Sequence, residues 1–247
     1  MEGPRKRPLL HSGAPVPAPR PAMLQTIQSA LEAQDAVLPA KGGPPPAADI
    51  EPVAVGPRLS KALAFAVTKH AAQARKGTTI PYVTHLMAVA ALVGESGGSE
   101  DEMIAALLHD AVEDGGGAPV LKEIRVRFGA AVAEIVVGCT DDDSGGEKAP
   151  WLERKQAYLA HLASAGLPVL RVSCADKLHN ARSIQRDLRD HGPSVWQRFK
   201  ADREGTLWYY RSLARIFAAL VQDEPGLDPG FRSMIRELRE AVAGLEA

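Results

Sequence analysis

The chain has 247 residues, 45% hydrophobic and only 5% aromatic, so it can bury a substantial core made mostly of aliphatic side chains. Its formal net charge of −1 gives no electrostatic reason to expect binding to nucleic acid or to anionic membranes. Two cysteines cannot make a disulfide framework. With neither a long apolar run nor an N-terminal signal peptide, the sequence predicts a cytoplasmic protein that does not span a membrane.

The N-terminal segment, residues 1–57, differs in composition from the rest of the chain. It holds 12 of the 19 prolines and no Phe, Tyr or Trp. Such a segment cannot bury enough apolar surface to offset its conformational entropy, so the sequence predicts a disordered arm followed by one domain over residues 58–247. Three interpretations of the arm stay open: a partner-binding segment, an unselective extension, or residues upstream of a true start at Met23.

The domain after the arm has a helical pattern almost throughout. In the first predicted helix Leu63, Ala66 and Val67 lie on one apolar stripe, and Gly77 and Pro81 mark its end. Runs of β-branched residues are too few and too short for a sheet, so the predicted fold class is all-α, a single helical bundle. The predicted helices cover residues 59–76, 82–94, 100–113, 120–128, 130–139, 151–165, 168–190, 196–221 and 231–245.

One predicted helix carries an unusual group of ionisable side chains near its end. Apolar residues repeat at helical spacing through residues 104–111, which predicts a buried face. His109 and Glu113 lie four residues apart, as do Asp110 and Asp114, so both pairs run along one side of the helix. A helix used only for packing needs no such pairs beside its core, although an acidic solvated face with a stray histidine also fits this segment alone.

Two other predicted helices add candidate metal ligands, His85 and Asp176. Together with His109 and Asp110 they form a nitrogen and oxygen donor set, which suits a hard or borderline divalent ion such as Mn²⁺, Fe²⁺ or Mg²⁺. The two cysteines are not spaced like zinc ligands, and the other histidines show no pattern for a second metal. Each of the four residues alone also fits a structural role, as a buried histidine or a carboxylate in an ion pair.

Four segments in this order resemble the hydrolase domain of the RelA/SpoT family of HD-domain metal-dependent phosphohydrolases. That family removes the 3′-pyrophosphate from guanosine alarmones. The resemblance covers roughly residues 58–220 and implies an HD-domain helical bundle. The matching segments are His70-Ala-Ala-Gln73-Ala-Arg75-Lys76-Gly77, Pro81-Tyr82-Val-Thr-His85, His109-Asp110-Ala-Val-Glu113-Asp114 and Ala175-Asp176-Lys177-Leu-His-Asn180.

The resemblance also implies roles for individual residues. Glu113 and Asp114 become the catalytic carboxylates that activate water. Their position at a helix C-terminus is electrostatically unfavourable, which modestly favours a functional role. One Mn²⁺ per chain, or another divalent ion, is then bound by His85, His109, Asp110 and Asp176.

Five further residues are predicted to bind the substrate. The resemblance places Arg75 and Lys76 beside the base and Asn180 against the nucleoside, and Lys177 adds a third positive charge. Arginine can grip a phosphate through two parallel hydrogen bonds and can also stack on a base. Tyr209 falls where the last core helix returns to the pocket, and both stacking on the nucleotide and packing in the core fit it.

The sequence departs from the family pattern in two places. Leu86 follows the ligand histidine where the family has proline, which removes a helix-start preference but no ligand. Residues 77–80 read Gly-Thr-Thr-Ile where the family has Ser-Gly-Glu. Because this loop lies near the expected base site, the identity of the base stays open.

The predicted function is hydrolysis of ppGpp or pppGpp to GDP or GTP and pyrophosphate by a stand-alone hydrolase without synthetase or regulatory domains. The expected partner is a small-molecule nucleotide, with no nucleic acid and no membrane, and the oligomeric state stays open. One alternative is an HD phosphohydrolase acting on an adenosine alarmone or on NADPH. A non-enzymatic alternative is a nucleotide-sensing module, against which the presence of Glu113 and Asp114 argues.

Overall fold

The computed structural model describes residues 54–140 and 149–246, which are helical as predicted; the only strand-like pairing in these ranges is an isolated bridge between Ala74 and Pro81. Nearly all of the predicted arm, and the loop at residues 141–146, lie outside the described residues. No described helix is both long enough and apolar enough to cross a membrane. The α-helices are α1 (Pro57–Lys69), α2 (Val83–Glu95), α3 (Glu100–Leu108), α4 (Ala111–Gly115), α5 (Ala118–Phe128), α6 (Ala130–Cys139), α7 (Trp151–Leu162), α8 (Leu167–His191), α9 (Arg203–Asp223) and α10 (Pro229–Ala243).

With 25 residues, α8 is the longest described helix, and the core is built around it. It has Pro168 in its first turn, where proline is well tolerated because the N–H group it lacks would have no intrahelical partner. The helix packs against α2, α3, α6 and α10. Another part of its surface carries Asp176 and Asn180, which line a cavity. Its buried apolar residues are Leu170, Val172, Cys174, Ala175, Leu178, Ala181 and Ile184.

The first helix ends seven residues earlier than predicted, at Lys69 rather than at residue 76. The segment that follows folds back on itself: the Arg75 N–H donates to the Ile80 carbonyl at 2.8 Å and the Tyr82 N–H donates to the Gln73 carbonyl at 2.9 Å. Gly77 makes this reversal possible because its φ of +72° is a conformation that other residues rarely adopt. Arg75 therefore lies on a tight turn and not on a helix.

The predicted helix over residues 100–113 is interrupted at the ligand pair. Helix α3 ends at Leu108 and α4 begins at Ala111, with His109 and Asp110 in the turn between them. The His109 ring Nδ1 donates at 2.8 Å to the Ala106 carbonyl, the group that the Asp110 N–H would use in a regular α-helix. This local exchange of partners turns the two ligand side chains inward.

The predicted helix over residues 196–221 is also wrong at its start. A 3₁₀ segment, Gly192–Arg198, precedes it, and α9 begins only at Arg203. Asp202 caps α9, because its side chain accepts from the Gly205 N–H at 2.8 Å. The remaining predicted helices agree with the structure to within three residues at each end.

A buried ion pair holds three helices together. Glu102 takes part in a capping box at the start of α3 and accepts from Arg171 Nε on α8 at 2.9 Å. Arg171 also donates to the Ser96 carbonyl after α2, and its guanidinium lies over the Phe231 ring of α10 at 4.8 Å. Both charged side chains are only about 10% exposed, so water cannot compensate either charge and each side chain is neutralised by the other.

We expect Arg171→Ala to lower the free energy of unfolding by about 3–5 kcal/mol, because it leaves the Glu102 carboxylate buried without its cation. Denaturant unfolding followed by circular dichroism measures the change. Arg182→Ala is the matched control: this arginine is on the same helix, but its pair with Glu237 is exposed and should contribute at most about 1 kcal/mol. Equal effects of the two substitutions would contradict the expectation.

Candidate metal centre and cavity

The four predicted metal ligands meet at one point in the structure. His85 lies in the first turn of α2, His109 and Asp110 lie between α3 and α4, and Asp176 lies on α8. The Asp176 Oδ1 atom is 3.2 Å from His85 Nε2 and 3.6 Å from His109 Nε2. The Asp110 Oδ2 atom is 3.1 Å from His109 Nε2 and 3.8 Å from His85 Nε2. Two nitrogens and two carboxylates therefore face one another.

This cluster fits a divalent metal ion. His85 and His109 are buried, and the Nε2 atom of each is enclosed without a hydrogen-bond partner among the described residues. Leaving a ring nitrogen in that state is costly unless a cation binds it. Donor atoms of His85, His109 and Asp176 all lie within 4.8 Å of one another, a separation that one ion can bridge. The residues present thus suit a single divalent ion.

The other nitrogen of each imidazole is held so that Nε2 faces the cluster. His109 Nδ1 donates to the Ala106 carbonyl, so Nε2 is the ring nitrogen that faces the Asp110 and Asp176 carboxylates. His85 Nδ1 lies 2.8 Å from the Nδ1 of His179. Burial, followed by nearby positive charges, lowers the pKa of His179 to about 4, so this ring is neutral and can accept from His85.

The titration of the ligands is governed by burial and by their mutual charges. Burial lowers the pKa of His85, whereas for His109 the Asp110 and Asp176 carboxylates outweigh burial and raise the pKa well above its usual value. Burial also opposes ionisation of the two carboxylates, but it is outweighed. His109 chiefly lowers the pKa of Asp110, and Lys177 with both histidines holds the pKa of Asp176 well below its usual range. Both carboxylates are therefore ionised at neutral pH.

Tyr82 orients one of these ligands. Its hydroxyl donates to Asp110 Oδ2 at 2.5 Å, and its ring stacks on His70 with centroids 5.2 Å apart. Burial, with the charge of Asp110, raises the pKa of Tyr82, so the hydroxyl stays protonated as a donor.

The metal cluster opens into a cavity of about 620 Å³, which Asp110 and Asp176 both line. Its walls come from the turn at residues 75–82, from α7, α8 and α9, and from the 3₁₀ segment. Most charged side chains around it are basic, so the cavity is suited to an anion at its metal end. The basic residues that line it are Arg75, Lys76, Lys155, Lys177, Arg186, Arg198 and Lys200.

All five residues predicted to bind substrate line this cavity. Arg75 Nη2 donates to Asn180 Oδ1 at 2.7 Å, and Asn180 Nδ2 donates to Asp176 Oδ1 at 2.5 Å. Lys177 Nζ donates to Asp176 Oδ2 at 2.6 Å. Lys76 Nζ lies 5.9 Å from the centroid of the Phe199 ring, directly after the 3₁₀ segment, and Tyr209 is buried in the wall. A continuous network thus joins the turn to the metal ligands.

The two predicted catalytic carboxylates lie on the short helix α4, directly after Asp110, and neither is among the residues that line the cavity. Glu113 is half-buried and Asp114 is exposed. Gln73 Nε2 donates to Asp114 Oδ2 at 2.8 Å, and Gln73 Oε1 is 2.6 Å from His70 Nδ1. A hydrogen-bonded chain therefore fixes the Asp114 carboxylate beside the turn.

Several side chains of the site were not singled out by the sequence. His179 was set aside because it fits no second metal site, yet it contacts the ligand His85. Its position three residues after Asp176, on the same face of α8, was the signal that could have found it. Trp151, Lys155 and Arg198 come from elements whose approach to the cavity depends on tertiary packing, and no local pattern marked them.

Comparisons with known proteins agree with this geometry. A family profile described as HD domain matches residues 62–207. A human protein named guanosine-3′,5′-bis(diphosphate) 3′-pyrophosphohydrolase MESH1 is 37% identical over 185 residues, which cover 73% of this chain and 94% of the relative. Its mouse counterpart is 31% identical over the same shares of the two chains. A protein of Aquifex aeolicus with the same enzymatic name is 35% identical over 127 residues, 51% of this chain but only 18% of that longer protein.

Two solved structures have a similar fold. One, described as a metazoan ortholog of SpoT that hydrolyzes ppGpp and plays a role in starvation responses, has a TM-score of 0.59 at 25% identity; the match covers 76% of this chain and 96% of that one. The other, the protein lmo0812 from Listeria monocytogenes EGD-e, has a TM-score of 0.53 at 29% identity and covers 64% of this chain and 99% of its own.

Fold, site and relatives define the class of protein. A helical domain in which a histidine, a His-Asp pair and a distant aspartate meet beside a basic cavity is a metal-binding domain of the HD type. The extent and identity of the matches narrow this class. The chain belongs to the HD-domain family, in the RelA/SpoT hydrolase branch that includes the MESH1 proteins.

Proposed function

We propose that this protein hydrolyses the 3′-pyrophosphate of guanosine alarmones, converting ppGpp to GDP, or pppGpp to GTP, with release of pyrophosphate. The observation that carries the proposal is the single metal cluster at the end of a basic cavity. Asp176 belongs to both, as ligand and as cavity wall. The relatives named for this activity share the fold and most of its length.

His85, His109, Asp110 and Asp176 would hold one divalent ion. We propose Mn²⁺ as that ion because the resemblance to the RelA/SpoT family implies it, and the mixed set of imidazole nitrogens and carboxylate oxygens is compatible with it. When bound, such an ion would lower the pKa of a water molecule bound to it and would neutralise negative charge on the phosphoryl oxygens. Tyr82 and His179 orient two of the ligands through the hydrogen bonds described above.

The diphosphate and the nucleoside of the substrate bind in different parts of the cavity. The 3′-diphosphate lies at the metal end, where Lys177 sits beside Asp176. Arg75 and Asn180, joined at 2.7 Å, hold the nucleoside, with Lys76 and Tyr209 on either wall. These contacts bind and orient the substrate without taking part in bond breaking.

Glu113 and Asp114 are proposed as the carboxylates that accept the proton of the attacking water. The water oxygen forms a bond to the phosphorus attached to O3′, the P–O3′ bond breaks, and O3′ takes up a proton. The Gln73 amide, which donates to Asp114 Oδ2, keeps one oxygen of that carboxylate oriented. Neither carboxylate lines the cavity as described, so their participation is a separate point to test.

A substrate panel tests the proposed activity. Purified protein supplied with Mn²⁺ is incubated with ppGpp, ppApp and NADPH, and pyrophosphate, inorganic phosphate and nucleotide products are separated by ion-exchange chromatography. We expect ppGpp to give GDP and pyrophosphate. Phosphate release from NADPH, with no pyrophosphate from either 3′-diphosphorylated nucleotide, would overturn the proposal in favour of a phosphatase. Binding of ppGpp without turnover would favour the nucleotide-sensing module.

The adenosine alarmone is a second candidate substrate, because the turn at residues 77–80 departs from the family pattern beside the base site and leaves the identity of the base open. In that case ppApp would also give pyrophosphate in the same panel. Relative rates for the two nucleotides then measure how strongly the base is discriminated.

Arg75→Ala is expected to raise KM for ppGpp about 10- to 100-fold with little change in kcat. The substitution removes a charged contact made equally in the ground and transition states and frees Asn180 from its partner. Steady-state kinetics measure both constants. Arg215→Ala, an exposed arginine of α9 outside the cavity, is the matched control and should leave KM unchanged. A fall in kcat at constant KM would contradict this role.

A further inference from the structure

One face of α8 forms a stripe along the cavity that extends well beyond the metal ligand. Asp176, Asn180, Ser183 and Asp187 follow one another at spacings of four, three and four residues and all line the same cavity. At 1.5 Å per residue, Asp187 lies about 16 Å along the helix from Asp176. The stripe therefore ends in a carboxylate at the end of the cavity opposite the metal.

That distal end is built from three separate parts of the chain. Asp187 Oδ2 accepts from Arg198 Nη1 of the 3₁₀ segment at 2.8 Å. Arg198 in turn lies against the turn at residues 77–80, since a Cβ placed on Gly77 would come within 2.9 Å of Arg198 Cδ. Ile80, Ile184 and Phe199 line the cavity too, each on one of these three parts.

These surroundings suit a nucleobase better than a phosphate. The charge of Arg198 is already balanced by Asp187, whose carboxylate repels a phosphate, and Ile80, Ile184 and Phe199 offer apolar surface beside the pair. The basic residues Lys76, Arg186 and Lys200 also line the cavity and remain for the 5′ phosphates. A planar base presents apolar faces and a polar edge, whereas a phosphate needs unbalanced positive charge. In ribose the base on C1′ projects away from the phosphate on C3′, so a nucleotide with its 3′-diphosphate at the metal directs its base toward this end.

Asp187 retains hydrogen-bonding capacity for such an edge. A carboxylate offers about four lone-pair positions, and Arg198 occupies one of them. Arg186 Nε is 3.9 Å from Asp187 Oδ1, beyond hydrogen-bond distance. Both side chains of the Asp187–Arg198 pair remain partly exposed, so a ligand can reach them.

We propose that Asp187, oriented by Arg198, is the residue that selects guanine over adenine. Guanine presents two adjacent donors on its Watson–Crick edge, N1–H and the N2 amino group, which an Asp carboxylate accepts. Adenine presents the N1 lone pair at the same place, which faces the carboxylate unfavourably. This assignment rests on the proposed function, because it assumes a 3′-diphosphorylated nucleoside with its phosphates at the metal.

Binding measurements test the assignment without depending on turnover. Isothermal titration calorimetry of the metal-bound protein, with Glu113→Gln introduced in every sample to slow turnover, compares ppGpp, ppApp and the inosine analogue ppIpp, which lacks only the N2 amino group. We expect the parent protein to bind ppGpp about tenfold or more tightly than ppApp, with ppIpp between them. Asp187→Asn should weaken ppGpp binding by about tenfold, leave ppApp binding unchanged or tighter, and abolish the difference between ppGpp and ppIpp.

The controls separate a base contact from a structural ion pair. Glu237→Gln removes the exposed ion pair that Glu237 of α10 makes with Arg182 of α8, and it should keep the parent order of affinities. Because a damaged fold would weaken all three ligands together, Arg198→Gln is a second variant, expected to reduce the preference for ppGpp over ppApp by releasing Asp187. If the parent protein binds ppGpp and ppApp with nearly equal affinity, the assignment is overturned. It is also overturned if Asp187→Asn leaves the ratio of the two affinities unchanged. Guanine selectivity without pyrophosphate release would leave it standing and overturn the proposed hydrolysis instead.

Discussion

Replacing His109 by Ala should abolish turnover and release the bound metal. His109 is buried, its Nδ1 is held by the Ala106 carbonyl, and its Nε2 lies within 3.1 Å of Asp110 and 3.6 Å of Asp176. Removing the ring takes away a predicted ligand and leaves the buried Asp176 and the half-buried Asp110 carboxylates with one histidine fewer between them. Metal binding is coupled to folding, so the melting temperature should fall as well.

Metal content by inductively coupled plasma mass spectrometry, together with ppGpp turnover, measures the loss. The parent protein should hold about one divalent ion per chain, lose activity in EDTA and regain it with Mn²⁺. His161→Ala, an exposed histidine of α7, is the matched control and should keep both metal and activity. Full activity in a metal-free preparation would show that the cluster does not serve the reaction.

Glu113→Gln and Asp114→Asn should reduce kcat by about 10² to 10⁴ while the metal content and the melting temperature stay near those of the parent. Each change keeps the size of the side chain and removes its ability to take up a proton. Gln73 can still contact position 114, because an amide oxygen accepts the same hydrogen bond that the carboxylate accepts now.

Single-turnover kinetics at saturating ppGpp isolate the chemical step from binding. Glu134→Gln, an exposed carboxylate on α6 with 70% of its side chain accessible, controls for loss of a negative charge at the surface. If both substituted proteins hydrolyse ppGpp at the parent rate, the carboxylates of α4 are not the base. The Tyr82–Asp110 pair would then be the next group to examine, since it lies on the cavity side of the ligands.

Local sequence patterns predicted the helices well but not the two places where the chain leaves a helix to build the site. Both are set by specific hydrogen bonds that helical periodicity does not reveal. Helix α1 ends at Lys69 because residues 70–82 pair with themselves and reach α8 through Arg75 and Asn180. The break after Leu108 accompanies the His109 hydrogen bond to the Ala106 carbonyl. Helical periodicity continues through both points, so periodicity alone predicts uninterrupted helices there.

The metal site was predictable because its ligands are chemically distinctive and their order along the chain is specific. The spacing of His109 and Asp110, with His85 before them and Asp176 after, indicated a mixed donor set before any geometry was known. Their convergence within 4.8 Å for His85, His109 and Asp176 required α2, α3 and α8 to pack as they do. His179, which contacts the predicted ligand His85, is not distinguished in the sequence by a comparably specific motif.

By itself the sequence determined the all-α fold class, the candidate ligands and the residues that line the metal end of the cavity. The fold class follows from periodicity and the candidate ligands from donor chemistry, which are local properties, whereas the residues lining the cavity were indicated by the resemblance to the RelA/SpoT family. Only the tertiary structure decided that the 3₁₀ segment brings Arg198 to Asp187 and Gly77, and that Gln73 contacts Asp114. Those contacts join residues between 11 and 121 positions apart in the sequence. Over such separations the partner is selected by the free energy of packing the whole domain and not by a local conformational preference.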